Sequence, residues 1–135
     1  KPDTQVMVQL PEQQISLYVH PALVEQAIFN VLENAANFSP PDEPVMIRAH
    51  LSLEDEVKIE IEDRGAGIPE DERHRIFDMF YTMERGDRGK FGTGLGLTIV
   101  KAIIGAHMGT IEAFSGRQNK GTLIQIRLPI HPVKE

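Results

Sequence analysis

Polar and apolar residues alternate along several short stretches of the chain, and apolar residues recur at helical spacing in two longer ones. Alternation over residues 10–19 predicts a strand that ends before Pro21. In residues 22–38 the apolar positions recur every three or four residues, which predicts an amphipathic helix. The pair Pro40-Pro41 prevents this helix from continuing.

The middle of the chain contains a hairpin pattern followed by a stretch without any period. Residues 45–53 and 57–61 alternate on either side of a polar turn, which predicts two antiparallel strands. Residues 70–80 follow a proline and predict a short helix. Residues 81–93 are rich in glycine and charge and have no apolar stripe, so we expect a mobile loop there.

The last third of the chain predicts one helix and two strands. Residues 95–108 carry an apolar stripe behind a glycine-rich turn, and Gly109 is predicted to be the C-cap of this helix. Residues 110–114 and 122–128 alternate as two further strands joined by a polar turn. This order of elements predicts an α+β fold, a two-layer sandwich with helices on one face of a mixed, mostly antiparallel sheet.

Composition adds limits rather than a function. The 135 residues suit one domain, with a core expected over residues 10–129. A formal charge of −6, from 14 Lys+Arg and 20 Asp+Glu, argues against binding to nucleic acid or anionic membranes. There is no cysteine, which excludes disulfides and thiolate metal sites. No apolar stretch approaches the roughly 20 residues of a membrane helix, so this part of the chain is expected to be soluble.

Asparagines line one face of the first predicted helix. Asn30, Asn34 and Asn37 stand at positions i, i+4 and i+7, and asparagine is a poor helix former. Amide oxygens on a rigid face suit Mg²⁺, which accepts neutral oxygen ligands beside phosphates. A solvated face that happens to carry helix-neutral polar residues is the alternative.

Asp63 has the same parity as the apolar residues of the strand 57–61, so its side chain is expected on the core side of the sheet. A carboxylate there needs a hydrogen-bond donor, and an adenine amino group would serve. Gly65 and Gly67 follow, and glycines let a flat ligand approach the backbone. The alternative is an aspartate that only begins a turn.

The glycines Gly92, Gly94 and Gly96 open the third predicted helix, where backbone N–H groups attract phosphate oxygens. Their G-x-G-x-G spacing does not fit the dinucleotide-binding fingerprint. No glycine loop ends in Gly-Lys-Ser/Thr, so a Walker motif is also excluded.

Several short motifs occur in a fixed order along the chain. They are Asn30-x-x-Glu33-Asn34, Asp63-x-Gly65-x-Gly67, Phe77-x-x-Phe80, Gly92-x-Gly94-x-Gly96-Leu97 and Gly121-Thr122. This set resembles the N, G1, F, G2 and G3 boxes of sensor histidine kinases, whose superfamily includes gyrase and Hsp90, and the resemblance covers residues 22–128. It implies the Bergerat, or GHKL, ATP-binding fold. The run after Phe80 looks similar to that of Kdp-type potassium sensor kinases.

The resemblance implies a role for each motif around ATP and Mg²⁺. Asp63 would hold the adenine amino group, and Asn30 and Asn34 would organise Mg²⁺ and the phosphates, with Glu33 as a further catalytic residue. Residues 81–93 would form a lid over ATP. Phe77 and Phe80 would pack its hinge, or would simply be core residues. The other nucleotide-binding residues that the resemblance implies are Asn37, Gly65, Gly67, Ile68, Phe80, Tyr81, Arg85, Arg88, Gly92, Thr93, Gly94, Leu95, Gly96, Leu97 and Thr122.

The sequence departs from the family pattern in two places. Many of these kinases carry a lysine and a tyrosine where Asn37 and Phe38 stand, so one positive phosphate contact is lost. Either the basic residues of the predicted lid, Arg85, Arg88 and Lys90, compensate, or affinity for the triphosphate is reduced. Related ATPases have a glutamate base where Asn30 stands, so hydrolysis is expected to be slow.

The resemblance also implies partners that lie outside this chain. None of the histidines at positions 20, 50, 74, 107 and 131 has the setting of a phosphoacceptor, so the acceptor is expected on a separate dimerisation domain. A response regulator would take the phosphoryl group in turn. The resemblance implies that the full protein is a homodimer of a kind that can be membrane-anchored, with this domain on the cytoplasmic side of a bacterial inner membrane.

Two other functions remain open on the sequence alone. A serine protein kinase of the anti-sigma type shares these motifs and phosphorylates a partner protein. A nucleotide-gated binding module would grip ATP and change shape without transferring phosphate. Acid-labile phosphate on a supplied dimerisation domain would distinguish the histidine kinase from both.

Overall fold

A computed structural model describes residues 5–11, 15–40, 42–52, 55–78 and 96–130 of the protein. Its sheet has five strands, in the spatial order β1-β2-β3-β5-β4. Only the β1-β2 pair is parallel, and the other three pairs are antiparallel. The strands are β1 (Val6–Gln9), β2 (Val45–Leu51), β3 (Glu56–Glu62), β4 (Thr110–Ser115) and β5 (Thr122–Pro129). The mixed, mostly antiparallel sheet predicted from the sequence is therefore confirmed.

Helices cover one face of this sheet. Helix α1 spans Pro21–Phe38, helix α2 spans Gly96–Ala106, and a 3₁₀ helix spans Glu70–Phe77. The buried apolar residues of both α-helices form one cluster with alternate residues of β3 and β5. The opposite face of the sheet carries charged and polar side chains joined by ion pairs. These layers confirm the α+β sandwich.

Helix α1 forms where its periodicity predicts. Pro21 occupies the first turn, where its missing N–H would have no helical partner. Val24, Ala27, Val31 and Ala35 are buried at intervals of three and four residues, which makes one continuous stripe facing the core. The helix ends at the N–H of Ser39, which donates to the carbonyl of Ala35.

The hairpin and the central position of β5 also follow from the alternation pattern. Ile47 lies opposite Ile61, and Ala49 lies opposite Ile59, so their side chains share the core face. Because β5 has a neighbour on each side, its inward residues Ile126 and Leu128 are fully buried. Such cross-strand apolar pairs fix the register of the sheet.

The strand predicted over residues 10–19 is wrong. The first strand is Val6–Gln9, and the described residues 15–20 contain no strand. Main-chain pairing with β2 places this strand, and Pro11, which has no N–H to donate, follows it. Three alternate side chains of the predicted range still pack against the core from a segment without regular secondary structure. They are Ile15, Leu17 and Val19.

The predicted C-cap of the last helix needs correction. Met108, and not Gly109, adopts the left-handed conformation, with φ of 63°. The N–H of Gly109 donates to the carbonyl of Ile104 and closes the helix end. A side chain at Gly109 would collide with the carbonyl of Arg127 on β5. The glycine is therefore required by contact with the sheet.

The helix predicted over residues 70–80 is a 3₁₀ helix over Glu70–Phe77. Only its last two residues, Ile76 and Phe77, are buried, so the packing that would favour a longer α-helix is missing. No helix among the described residues is both long enough and apolar enough to cross a lipid bilayer.

Candidate functional site

The carboxylate of Asp63 lies directly after β3 and is buried, with 7% of the residue exposed. Its Oδ1 accepts hydrogen bonds from the backbone N–H groups of Gly65 at 2.9 Å and Thr122 at 3.2 Å. The backbone N–H of Asp63 donates to the carbonyl of Thr122 at 3.0 Å. The parity argument correctly predicts a buried carboxylate, and backbone amides of two segments fix its orientation.

The hydrogen bond from Gly65 N–H to Oδ1 of Asp63 is the bond by which an aspartate forms a turn. The alternative interpretation, that Asp63 begins a turn, is therefore also correct. The two roles are compatible, because a carboxylate offers roughly four lone-pair sites. Asp63 can therefore shape the turn and still accept a hydrogen bond from a ligand.

Close backbone contacts surround Asp63. A Cβ on Gly65 would collide with the carbonyl of Phe38 at the end of α1 and would lie 3.2 Å from Oδ1 of Asp63. Gly67 has φ of +84°, and a Cβ on it would lie 3.2 Å from the carbonyl of Gly121. These glycines are thus required by the packing of three chain segments on one another. The end of α1, the loop after β3 and the start of β5 meet at Asp63.

The asparagines of α1 lie beside the core stripe. Asn30, Asn34 and Asn37 are each partly exposed, and Glu33 is exposed. Oδ1 of Asn30 accepts a hydrogen bond from Nε2 of Gln26 at 2.9 Å. Partial exposure fits both sequence interpretations, a ligand-binding face and a solvated face.

Two other predicted site residues have structural contacts. Thr122 is buried and takes part in the Asp63 hydrogen bonds. Ile68 packs against the hydrophobic core, and its carbonyl accepts from Nε of Arg73 at 3.2 Å. The structure therefore brings Thr122 to Asp63 and places Ile68 at the edge of the core.

The start of α2 is joined to the end of the 3₁₀ helix. Phe77 is a core residue with 6% exposure, as the simpler interpretation of this aromatic predicts. Oγ1 of Thr98 donates to the carbonyl of Phe77 at 2.9 Å. Leu97 packs against the core, and Gly96 has open space where a side chain would be. Helix α2 contacts α1, so Gly96 and Leu97 belong to the helical layer that carries the asparagines.

Part of the predicted site lies outside the described residues, as do the predicted loop 81–93 and Lys90. The site residues concerned are Phe80, Tyr81, Arg85, Arg88, Gly92, Thr93, Gly94 and Leu95.

Glu62, the residue before Asp63, is a buried charge that the sequence patterns did not single out. Its side chain is 1% exposed and faces three arginines. Oε1 lies 3.1 Å from Nη2 of Arg48 and 3.7 Å from Nε of Arg117, and Oε2 lies 3.8 Å from Nη1 of Arg64. The backbone N–H of Arg117 donates to Oε2 at 2.6 Å. The only sequence signal was the charge alternating with apolar residues along both hairpin strands, which is typical of cross-strand ion pairs.

Glu60 lies one step back on the same polar face of β3. Burial disfavours its charged form, but hydrogen bonds from Gln125 at 2.9 Å and Arg48 at 3.3 Å outweigh that effect. The positive charges of Arg48 and His50 act in the same direction and help to hold the pKa of Glu60 below its usual value.

No group of three or more His, Cys, Asp or Glu side chains within the described ranges could hold a metal ion. The neutral amide oxygens of Asn30 and Asn34, together with ligand oxygens, are of a type that Mg²⁺ accepts.

Comparisons with known families, sequences and structures all identify histidine kinases as similar to this chain. The sequence profile of the family described as "Histidine kinase-, DNA gyrase B-, and HSP90-like ATPase" matches residues 19–132. "Sensor protein KdpD" of Clostridium acetobutylicum is 38% identical over 125 residues, which cover 92% of this chain and 14% of that protein. "Sensor histidine kinase WalK" of Bacillus subtilis is 34% identical over 128 residues, covering 93% of this chain and 21% of the relative.

The fold agrees with that of a solved sensor kinase. The structure titled "Mycobacterial sensor histidine kinase MprB" superposes with a TM-score of 0.81 at 32% sequence identity. The superposition covers 98% of this chain and 85% of that one. The chain thus spans most of that solved structure but less than a quarter of each of the two full-length relatives.

Proposed function

Since the chain belongs to the family of histidine kinase-, DNA gyrase B- and HSP90-like ATPases, we propose that it is the ATP-binding catalytic domain of a two-component sensor histidine kinase. It would transfer the γ-phosphoryl group of ATP to a histidine on a separate dimerisation domain, from which a response regulator takes it. The observation that carries this proposal is the buried Asp63 carboxylate, which backbone amides orient at the meeting point of α1, β3 and β5.

Asp63 would select adenine. Two backbone N–H groups orient the carboxylate through Oδ1, and its remaining lone-pair sites can accept a hydrogen bond from the adenine amino group. Guanine carries a carbonyl oxygen at the same ring position, which would face the carboxylate as a second acceptor. Adenine is therefore favoured by a new hydrogen bond, and guanine is rejected by an unpaired, repulsive contact.

Asn34 and Asn30 would hold Mg²⁺ with the phosphates. Mg²⁺ keeps several waters and usually binds through few protein ligands plus phosphate oxygens, so two amides on one helical face fit its chemistry. Because Oδ1 of Asn30 already accepts from Gln26, we assign the larger share to Asn34. When bound, Mg²⁺ would neutralise developing charge on the phosphates. Asn37, which stands where many histidine kinases carry lysine, adds no positive charge.

An asparagine at position 30 cannot act as a general base on water, because an amide has no comparable basicity. Hydrolysis should therefore be slow, which preserves the phosphoryl group for transfer. Glu33 is exposed on the same helix and is the carboxylate of the Asn30-x-x-Glu33-Asn34 motif. We propose that it acts as a further catalytic residue near the phosphates of ATP. The proposed lid residues Arg85 and Arg88 would contact phosphate, as would Gly92, Thr93, Gly94 and Leu95.

The partners and the location of the whole protein are part of the same proposal. The named relatives are bacterial sensor kinases that are much longer than this chain. We propose a homodimeric, membrane-anchored protein with this domain on the cytoplasmic side. The net charge of −6 supports a partner that is a protein rather than a nucleic acid.

The adenine site is tested by Asp63→Asn, with ATP and GTP titrated by calorimetry. Loss of a hydrogen bond to a charged group corresponds to roughly 1.5–3 kcal/mol, so ATP affinity should fall by about tenfold or more. GTP affinity should stay the same or rise, because the amide no longer repels the guanine carbonyl. Asp42→Asn, which removes the same charge from an exposed residue, is the matched control. Unchanged ATP affinity in a folded Asp63→Asn protein would remove Asp63 from the site.

The kinase activity is tested with γ-labelled ATP. The chain alone should bind ATP without labelling itself, and label should appear only on the dimerisation domain encoded by the same gene. That label should be lost in acid and survive alkali, as a phosphoramidate does. Acid-stable label would indicate a serine kinase, and binding without any transfer would indicate a nucleotide-gated module.

A further inference from the structure

We infer that Glu62 is a positioning residue for the nucleotide site, because its buried carboxylate fastens the turn between β4 and β5 to the end of β3 and so holds Asp63 in register. This inference rests on the function proposed for Asp63. The two acidic residues are consecutive, and therefore they point to opposite faces of the sheet. Asp63 would contact the nucleotide, and Glu62 fixes the end of β3 from the opposite face of the sheet.

The contacts of Glu62 reach three separate segments. Arg48 comes from β2, with its Nη2 3.1 Å from Oε1. Arg117 comes from the β4-β5 turn and donates its backbone N–H to Oε2 at 2.6 Å. Arg64 follows β3 itself, with Nη1 3.8 Å from Oε2. Glu62 therefore connects β2 and the β4-β5 turn, which lie far apart in the chain, to the end of β3 next to Asp63.

The β4-β5 turn is held from both faces of the sheet. On one side the N–H of Arg117 donates to Glu62, and on the other the N–H of Thr122 donates to Oδ1 of Asp63 at 3.2 Å. The N–H of Gly116 donates to the carbonyl of Gly121 at 3.1 Å and closes the turn between these two points. If the contact between the turn and Glu62 were lost, the turn could shift, and the Thr122 N–H that orients the Asp63 carboxylate would move with it.

Arg64 extends the same network toward α1. Its Nη1 donates to the carbonyl of Arg117 at 3.1 Å, so the side chain contacts both the turn and Glu62. Its backbone N–H donates to Oγ of Ser39, just past α1, at 3.3 Å. All the segments that meet at Asp63 are therefore connected through residues that contact Glu62.

The charge of Glu62 contributes geometry more than stability. A buried ion pair gains little net stability over apolar packing, because both ions lose their hydration. An apolar residue at this position could fill the same space, but it could not accept the N–H of Arg117 or orient guanidinium groups. The network specifies one arrangement of the turn, and that arrangement aligns Thr122 with Asp63.

The test compares Glu62→Gln with Glu60→Gln in nucleotide titrations. Both changes remove one charge from the polar face of β3, and both carboxylates pair with Arg48. Only Glu62 contacts the turn, so Glu62→Gln should lower the ratio of ATP to GTP affinity by roughly tenfold, as expected when coupled neighbours are perturbed. Glu60→Gln should leave that ratio unchanged. The amide resonances of Gly65 and Thr122 should shift in the Glu62 variant alone.

A double-mutant cycle separates positioning from simple destabilisation. If Glu62 acts through Asp63, adding Glu62→Gln to Asp63→Asn should change base selectivity no further. Arg117→Met serves if Glu62→Gln does not fold, because this side chain is 67% exposed and its backbone N–H remains. It should lower the ratio of ATP to GTP affinity by roughly threefold, less than Glu62→Gln does, because the pair it removes is exposed.

Two results separate failure of this inference from failure of the proposed function. A folded Glu62→Gln, or Arg117→Met in its place, that keeps the wild-type ATP to GTP ratio while Asp63→Asn loses it would overturn the role of Glu62 alone. Wild-type ATP affinity in Asp63→Asn would overturn the nucleotide site itself, whatever the Glu62 variants do.

Discussion

Gly121→Ala offers a direct test of how tightly the backbone is packed around Asp63. Gly121 has φ of +77°, a conformation that L side chains rarely adopt. A Cβ there would overlap the carbonyl oxygen of Asp63 and lie 2.8 Å from its carbonyl carbon and 3.0 Å from Cα of Arg64. Every one of these neighbours is backbone, so no flexible side chain can move aside.

The expected loss of stability is the sum of strain and broken bonds. A left-handed conformation with a side chain costs roughly 1–2 kcal/mol. Relieving the overlap means separating the start of β5 from the end of β3, which threatens the 3.0 Å bond from Asp63 N–H to the carbonyl of Thr122. One such bond contributes about 1 kcal/mol. Gly121→Ala should therefore lower the free energy of unfolding by about 2–3 kcal/mol and weaken ATP binding as well.

The matched control is Gly105→Ala in α2. Gly105 is exposed, a Cβ on it would meet nothing within 4 Å, and its φ is not positive. The same chemical change should raise stability here, by about 1 kcal/mol, because alanine favours the helix. Urea unfolding of both variants measures the two shifts. If Gly121→Ala were as stable as the wild type, or if both changes had the same sign, the close backbone packing around Asp63 would be refuted.

Three further predictions concern single contacts. Asn34→Ala should weaken ATP binding much more with Mg²⁺ than in EDTA, by calorimetry, and equal losses would indicate a structural asparagine. Because the native pKa of Glu60 is lowered from 4.5, its stabilising effect is complete above that pH and is lost as the pH falls through the native pKa. Glu60→Gln should therefore flatten the acid side of a stability profile, and an unchanged slope would contradict the pairing. Thr98→Val removes the 2.9 Å bond to Phe77 and should destabilise by about 1 kcal/mol in thermal unfolding, whereas no change would mean that the bond has no net effect.

The sequence predicted those elements whose side chains face one core. Helix α1 and the β2-β3 hairpin have strong periodicity because a buried stripe must face the same layer at every turn. Strand β1 was missed for the opposite reason. All four of its residues are exposed, and parallel main-chain pairing with β2 holds it, which leaves no mark on side-chain pattern.

Only two features of the sequence predicted the candidate site: the alternation of side chains along β3 and the ordered set of motifs. Parity correctly predicts that Asp63 is buried. The resemblance implies only that Thr122 binds nucleotide, and the structure adds that Thr122 donates to the Asp63 carboxylate. Neither indicates that Gly65 is needed because Phe38 lies against it, since that contact joins positions far apart in the chain. Glu62 was missed because parity places it on the polar face, where a glutamate is expected to be exposed, yet three arginines bury it.

If Asp63 binds adenine as proposed, the two carboxylates at the end of β3 would support the binding site from opposite faces of the sheet. The last residues of β3 lie where β5 and the β4-β5 turn converge. Because neighbouring residues on a strand point to opposite faces, contacts of Glu62 on the polar face fix the backbone from which Asp63 projects on the other face. Glu62 supplies that fixation with charge, and Gly121 supplies it with close contact. Substitutions in the turn, more than 50 positions from Asp63, should therefore alter base selectivity before they alter the fold.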